Sequence, residues 1–132
     1  MLLKNMSKIF IYQRNKEIPP FYLYTGRGPS SDSLHLGHML PFVFNKYLQE
    51  AFNVPFVIQI TDDEKYFYKD GEDIKDFTKM AYENIKDILA LGFDPEKTFI
   101  FIDSEYMGTM YPNVARFQRH INLTTLKAIF GL

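Results

Sequence analysis

The sequence predicts an α/β fold, a parallel sheet flanked by helices. Three short runs rich in β-branched and aromatic residues read as continuous apolar strands, the pattern of strands buried in a parallel sheet. The segments between them carry apolar residues at three- and four-residue steps, the spacing of one helical face. A length of 132 residues, 46% of them hydrophobic, suits one domain with its own core, and no repeat or low-complexity tract marks an internal boundary.

Phe21-Tyr22-Leu23-Tyr24-Thr25 predicts a first strand that stops at a loop, Gly26-Arg27-Gly28-Pro29-Ser30-Ser31. Leu36, Leu40, Val43, Tyr47 and Ala51 predict a helix buried along that face. Pro41 lacks an N–H and is at ease only in a first turn, so this helix is expected to begin close to His38. Residues 54–60 form the next strand, with Pro55 at its start, where proline is tolerated. Residues 62–73 are charged and turn-like. Ile74, Phe77, Ala81, Ile85 and Ile88 then trace a second helix, with Gly92 where a C-cap favours glycine.

Thr98-Phe99-Ile100-Phe101-Ile102 is the third strand. Past Tyr111 the chain is irregular or helical, with Val114, Phe117 and Ile121 on one face and Leu126, Ile129 and Phe130 on another. Alternating strands and amphipathic helices predict right-handed βαβ units, a sheet covered on both faces, and ligands beyond the carboxyl ends of the strands.

Composition excludes several classes of function. Fifteen Lys+Arg against sixteen Asp+Glu leave a net charge of −1, so no overall basic field grips nucleic acid and any such contact must be local. The absence of cysteine rules out disulfides, thiolate metal sites and a Cys nucleophile. No stretch approaches the ~18 apolar residues of a membrane span, and the first residues lack the features of a signal peptide, which predicts a soluble intracellular protein.

The loop joining the first strand to the first helix is the candidate phosphate site. Glycines let backbone N–H groups approach a ligand, and the helix N-terminus offers unpaired donors and partial positive charge. Arg27, His35 and His38 add movable donors there. The loop is no dinucleotide fingerprint, because a third glycine is missing, and no P-loop, because no Gly-Lys-Ser/Thr follows. A zinc site at His35-x-x-His38 would need ligands the neighbourhood does not offer, so no metal site is expected.

At the end of the second strand, Gln59 and Glu64 stand out. A glutamine in an apolar strand needs hydrogen-bond partners, either in a pocket or in water at a strand edge, and a carboxylate just beyond suits a cationic group such as an α-ammonium. Residues 61–76 carry seven acids and three bases, and Asp70, Glu72, Asp73 and Asp76 read as a solvated face. The Tyr24 hydroxyl either borders a pocket or belongs to one of 13 Phe and 9 Tyr that are mostly core.

Taken together, Tyr24-Thr25-Gly26-Arg27-Gly28-Pro29-Ser30-Ser31, His35-Leu36-Gly37-His38 and Gln59-Ile60-Thr61-Asp62-Asp63-Glu64-Lys65-Tyr66 resemble the tryptophanyl-tRNA synthetases of eukaryotic and archaeal type. The likeness runs from about Phe21 to Gly131. It implies the first half of a Rossmann-type class I synthetase catalytic domain over residues 21–132, after an N-terminal extension over 1–20. It also implies a tryptophan–tRNA ligase that uses ATP and Mg²⁺, in the cytoplasm. The partners implied are L-tryptophan, tRNA(Trp) and a second copy in a homodimer of the full-length protein.

By the same likeness Thr25, Gly26, Arg27, Gly28, His35, Gly37 and His38 hold ATP, and Arg27, His35 and His38 support the reaction. Tyr24 and Gln59 take the indole N–H, and Glu64 takes the amino group. The family's Lys-Met-Ser-Lys-Ser loop and anticodon-binding domain have no counterpart here, so the chain alone is expected to be inactive in aminoacylation. Lys4-Asn5-Met6-Ser7-Lys8 looks faintly like that signature but lies before the first strand, where the family has other sequence, and is read as coincidence. A non-catalytic nucleotide- or partner-binding module and another His-x-Gly-His nucleotidyltransferase are the alternatives.

Overall fold

The computed structural model describes residues 21–68, 71 and 73–131. The expected extension over 1–20, the Lys4–Lys8 segment, Asp70 and Glu72 lie outside them. The described elements are β1 (Leu23–Arg27), α1 (Leu36–Phe52), β2 (Phe56–Ile60), α2 (Asp62–Tyr68), α3 (Ile74–Ala90), β3 (Thr98–Ile102), α4 (Asp103–Gln118) and α5 (Leu123–Phe130).

The three strands form one parallel sheet in the order β1-β2-β3. Its register aligns Gly26 with Gln59 and Phe101, and Arg27 with Ile60 and Ile102. The expected α/β architecture is therefore present. β1 runs two residues further than expected, taking Gly26 and Arg27 into the ladder.

Among the described residues the sheet is not covered on both faces. Phe56, Ile58, Ile60 and Ile102 pack with Phe42 of α1 and Ala81 and Ile88 of α3, which places both helices on one face. The strand order explains this: right-handed crossovers that add each strand on the same side lay every connecting helix on the same face. Tyr22, Tyr24 and Phe99 on the other face are exposed.

Helix α1 turns a different side inward from the one expected. Leu36, Leu40 and Tyr47 are 80%, 65% and 64% exposed, whereas Phe42, Gln49 and Phe52 are buried. The helix is apolar on two nearly opposite sides, so periodicity alone does not select the one that meets the sheet. Gln49 tolerates burial because its Nε2 donates to Thr98 Oγ1 at 3.0 Å and to the Lys97 carbonyl at 3.3 Å.

The helix also begins at Leu36, not near His38, which leaves Pro41 within it. The His35 carbonyl accepts from the N–H groups of both His38 and Met39, at 2.9 and 3.2 Å, and this sets the earlier start. Asn53 ends the helix in the left-handed region, at φ 53°.

The charged segment expected as a turn contains α2, whose first turn holds Asp62, Asp63 and Glu64, where the helix dipole favours negative charge. Asp73 and Asp76, expected as a solvated face, form a capping box for α3: Asp73 accepts from the Lys75 N–H and Asp76 accepts from the Asp73 N–H. Gly92 lies just past α3 at φ +76°, a conformation glycine adopts without strain.

Helix α4 starts directly at Asp103, earlier than the expected helical region. Asp62, at 0% exposure, anchors its first turn by accepting from the Ser104 N–H at 3.1 Å and the Ser104 hydroxyl at 2.5 Å. The apolar stripes expected beyond Tyr111 are mostly uncovered, with Phe117 and Ile129 exposed.

Cutting Ile58 to alanine is expected to cost ~2–5 kcal/mol, because its side chain is fully enclosed between sheet and helices. Leu40→Ala on the exposed side of α1 is expected to stay within ~0.5 kcal/mol. Urea denaturation followed by circular dichroism measures both, and equal losses would contradict the orientation of α1.

Candidate active site

Strand periodicity divides the candidate residues between two faces. Successive side chains of β1 alternate, so Thr25 and Arg27 lie on the helix-covered side while Tyr24 and Gly26 share the open side with Gln59 and Phe101. The two sets meet at the carboxyl ends of the strands.

On the covered side, Arg27 is held by its neighbours. Its Nε donates to Asn84 Oδ1 at 3.2 Å, and its Nη2 lies 3.1 Å from His38 Nδ1. Neither partner is acidic, so no carboxylate among these contacts neutralises the guanidinium. Asn84 is fully buried and also donates to the Ser31 carbonyl at 2.7 Å, which ties the loop to α3. Sequence reasoning missed Asn84; the signal was an asparagine within the inward stripe of an amphipathic helix.

The pKa of His38 is lowered by desolvation, with Arg27 and His35 adding to the effect. A neutral imidazole beside a donating guanidinium accepts at Nδ1 and carries its proton on Nε2, so that nitrogen is left as a donor. The His35 and His38 rings stack, with centroids 3.5 Å apart.

Gly37 lies close against the His35 ring of that stack. A Cβ at this position would stand 3.1 Å from His35 Cε1 and 3.2 Å from Nδ1, so a side chain would press on the ring. At Gly28 a Cβ would meet Lys65 Cε at 2.5 Å, which shows the Lys65 side chain crossing the loop. Lys65 is a second basic group that the sequence did not single out on its own.

On the open side, the Tyr24 hydroxyl donates to Gln59 Oε1. Gln59 Nε2 in turn donates to both Oδ1 and Oδ2 of Asp103, each at 2.8 Å. These groups adjoin an open cavity of about 350 Å³ lined by Tyr22, Tyr24, Val57, Gln59, Phe99, Phe101, Tyr106 and Met110. Burial raises the Tyr24 pKa, with the Asp103 charge adding to it, so the phenol keeps its proton.

The structure thus joins Tyr24 to Gln59. Glu64 is exposed and accepts from Thr61 Oγ1 at 2.9 Å, with no bond to either of them. Asp103 went unrecognised in the sequence because its position as the first residue of α4, under Gln59, depends on the register between β2 and β3.

A parallel sheet with a glycine and histidine loop at its carboxyl edge, beside an aromatic pocket with an amide at its base, defines an α/β domain of the nucleotide-handling class. The sequence profile of the tRNA synthetases class I (W and Y) matches residues 16–129. The chain belongs to this family.

The cytoplasmic tryptophan–tRNA ligase of Schizosaccharomyces pombe is 57% identical over 122 residues, which is 92% of this chain and 31% of that protein. The human cytoplasmic tryptophan–tRNA ligase is 51% identical over 131 residues, 97% of this chain and 27% of its own length. The crystal structure of a tryptophanyl-tRNA synthetase from Encephalitozoon cuniculi bound to tryptophan superposes with a TM-score of 0.85 at 43% identity, covering 97% of this chain and 37% of that one. The chain therefore spans between 27% and 37% of the length of these relatives.

Desolvation raises the Asp103 pKa to about 6 from 3.8; the bond from Gln59 opposes this, while Asp63 and Asp62 push it further up. The folded state then binds the proton more tightly than the unfolded state, so between pH 6 and 4 acidification favours folding at this residue. Relative to Asp103→Asn, the native chain is expected to gain at most ~3 kcal/mol of stability as pH falls through this window. Paired urea titrations at pH 7.5 and pH 4 check this, and a difference that does not change with pH would contradict it.

Proposed function

We propose that this chain supplies the first half of the catalytic domain of a tryptophan–tRNA ligase, over residues 21–132, preceded by an extension over 1–20. The observation that carries this is the Tyr24–Gln59 pair at the aromatic pocket. Its acceptor oxygens suit an indole N–H, and the surrounding rings suit the indole faces. The cytoplasmic names of the relatives support a cytoplasmic location. Among the described residues no helix is long and apolar enough to cross a membrane.

The reaction joins tryptophan to ATP. The carboxylate attacks the α-phosphorus, a P–O bond to pyrophosphate breaks, and an aminoacyl-adenylate forms; transfer to tRNA(Trp) then releases AMP. A carboxylate is already a nucleophile, so the task is alignment and stabilisation of phosphate charge. Arg27, with no acidic partner in its contacts, and His38, with a proton on Nε2, supply donors on the covered side. His35 adds a third, and Thr25, Gly26, Gly28 and Gly37 line the approach for ATP.

Among the described residues no group of three or more His, Cys, Asp or Glu side chains could hold a metal ion, so Mg²⁺ is proposed to travel with the ATP phosphates. Glu64, at the carboxyl edge, is proposed for the ammonium group. A homodimer is proposed for the full-length protein.

The chain contains no tryptophan, so the fluorescence of added L-tryptophan reports binding over a tyrosine background alone. A saturable change is expected that L-tyrosine does not reverse, and ATP with Mg²⁺ is expected to strengthen it. Gly26→Ala has room in the fold, since its Cβ would make only a 3.7 Å contact with the Gln59 carbonyl. The methyl would nonetheless stand on the open face shared with Tyr24 and Gln59, so the variant is expected to keep its circular dichroism spectrum and lose at least about tenfold in affinity, or ~1.4 kcal/mol. A folded chain that ignores tryptophan, or binds tyrosine equally, would overturn the proposal.

A further inference from the structure

We propose that Asp103 is a positioning residue that locks the Gln59 amide with its nitrogen inward and its oxygen toward the open face, so that the pocket is held ready for a ligand ring N–H. The ligand part of this inference rests on the tryptophan reading above; the lock itself does not.

The chemistry of the contact fixes its sense. An ionised carboxylate only accepts hydrogen bonds, and both oxygens of Asp103 lie 2.8 Å from the Gln59 amide nitrogen. Flipping the amide would set its oxygen against two carboxylate oxygens at that distance. The unflipped amide leaves Oε1 to accept from Tyr24, with a second lone pair available to the cavity. Asp103 is 4% exposed, so water does not replace a lost partner cheaply.

The lock is itself anchored. Ser104, the next residue, is held through its N–H and hydroxyl by the buried Asp62, which also accepts from Thr78 Oγ1 at 2.9 Å. The start of α4 therefore cannot shift without breaking its two bonds to Asp62, which is itself tied to α3. The charged and titratable groups facing Asp103 are Asp62 and Asp63 from α2 and Tyr24 from β1.

Two consequences follow from the contact. Protonated Asp103 could donate to Oε1, so acid releases the constraint on the amide. Replacing Asp103 by the isosteric asparagine, which can donate or accept, releases it at every pH. Loss of the lock penalises a ligand that must meet an acceptor and leaves a ligand without an N–H unaffected.

The first readout needs no ligand. In the ¹⁵N-labelled 132-residue chain, the Gln59 side-chain NH₂ signals, assigned by their loss in Gln59→Glu, are expected to titrate with a midpoint near pH 6. Asp103→Asn is expected to abolish that titration. Signals that ignore both pH and Asp103→Asn would overturn the lock, whatever the chain binds.

The second readout compares L-tryptophan with its benzothiophene analogue, in which sulfur replaces the N–H, as a competitor at pH 7.5. Asp103→Asn is expected to weaken tryptophan roughly tenfold and leave the analogue unchanged. Asp103→Glu is expected to restore part of the preference by again presenting only acceptors. Equal losses for both ligands would show a purely structural role and overturn the specificity assignment. If the native chain binds neither while the amide titrates as expected, the tryptophan reading fails and the lock stands.

Discussion

The Asp62 carboxylate has no exposed surface and accepts four hydrogen bonds, from the Asp63 N–H, the Ser104 N–H, the Ser104 hydroxyl and the Thr78 hydroxyl. These donors come from the start of α2, the start of α4 and the first turns of α3. One side chain just past the end of β2 thereby sets three helices relative to the sheet. A buried carboxylate is tolerated only where its oxygens are satisfied, so these four bonds are the condition for the carboxyl edge to have its shape.

From that anchor the functional geometry divides by strand periodicity. β1 sends Arg27 to the side of α1 and α3, where Asn84 and His38 hold its guanidinium, and sends Tyr24 to the side where Gln59 and Asp103 lie. A cluster of Arg27, Asn84 and His38 and an aromatic, amide-lined pocket are built on opposite faces of the same five residues.

Much of this was legible in sequence. Continuous apolar runs pointed to the parallel sheet, and the glycine and histidine loop after the first strand stood out as a candidate phosphate site. Gln59 was visible as a polar residue in an apolar strand. What was not legible has physical causes. Helix α1 carries apolar residues on two sides, and only the shape of the sheet selects Phe42 and Phe52 over Leu36, Leu40 and Tyr47. Asp73 and Asp76 have the composition of a solvated loop, and their capping geometry appears only once α3 begins between them.

The sequence by itself determined the α/β class, the three strands and the helices between them over residues 36–52 and 74–90, the family, and the identities of Arg27, His35, His38, Tyr24 and Gln59 as candidate groups, because these follow from local periodicity and from motifs contiguous in the chain. Only the tertiary structure decided which face of the sheet is covered, which side of α1 is buried, and that Asp103 and Asn84 hold Gln59 and Arg27. Those pairs are separated by 44 and 57 residues, and no local pattern records a contact that the strand register and helix placement create.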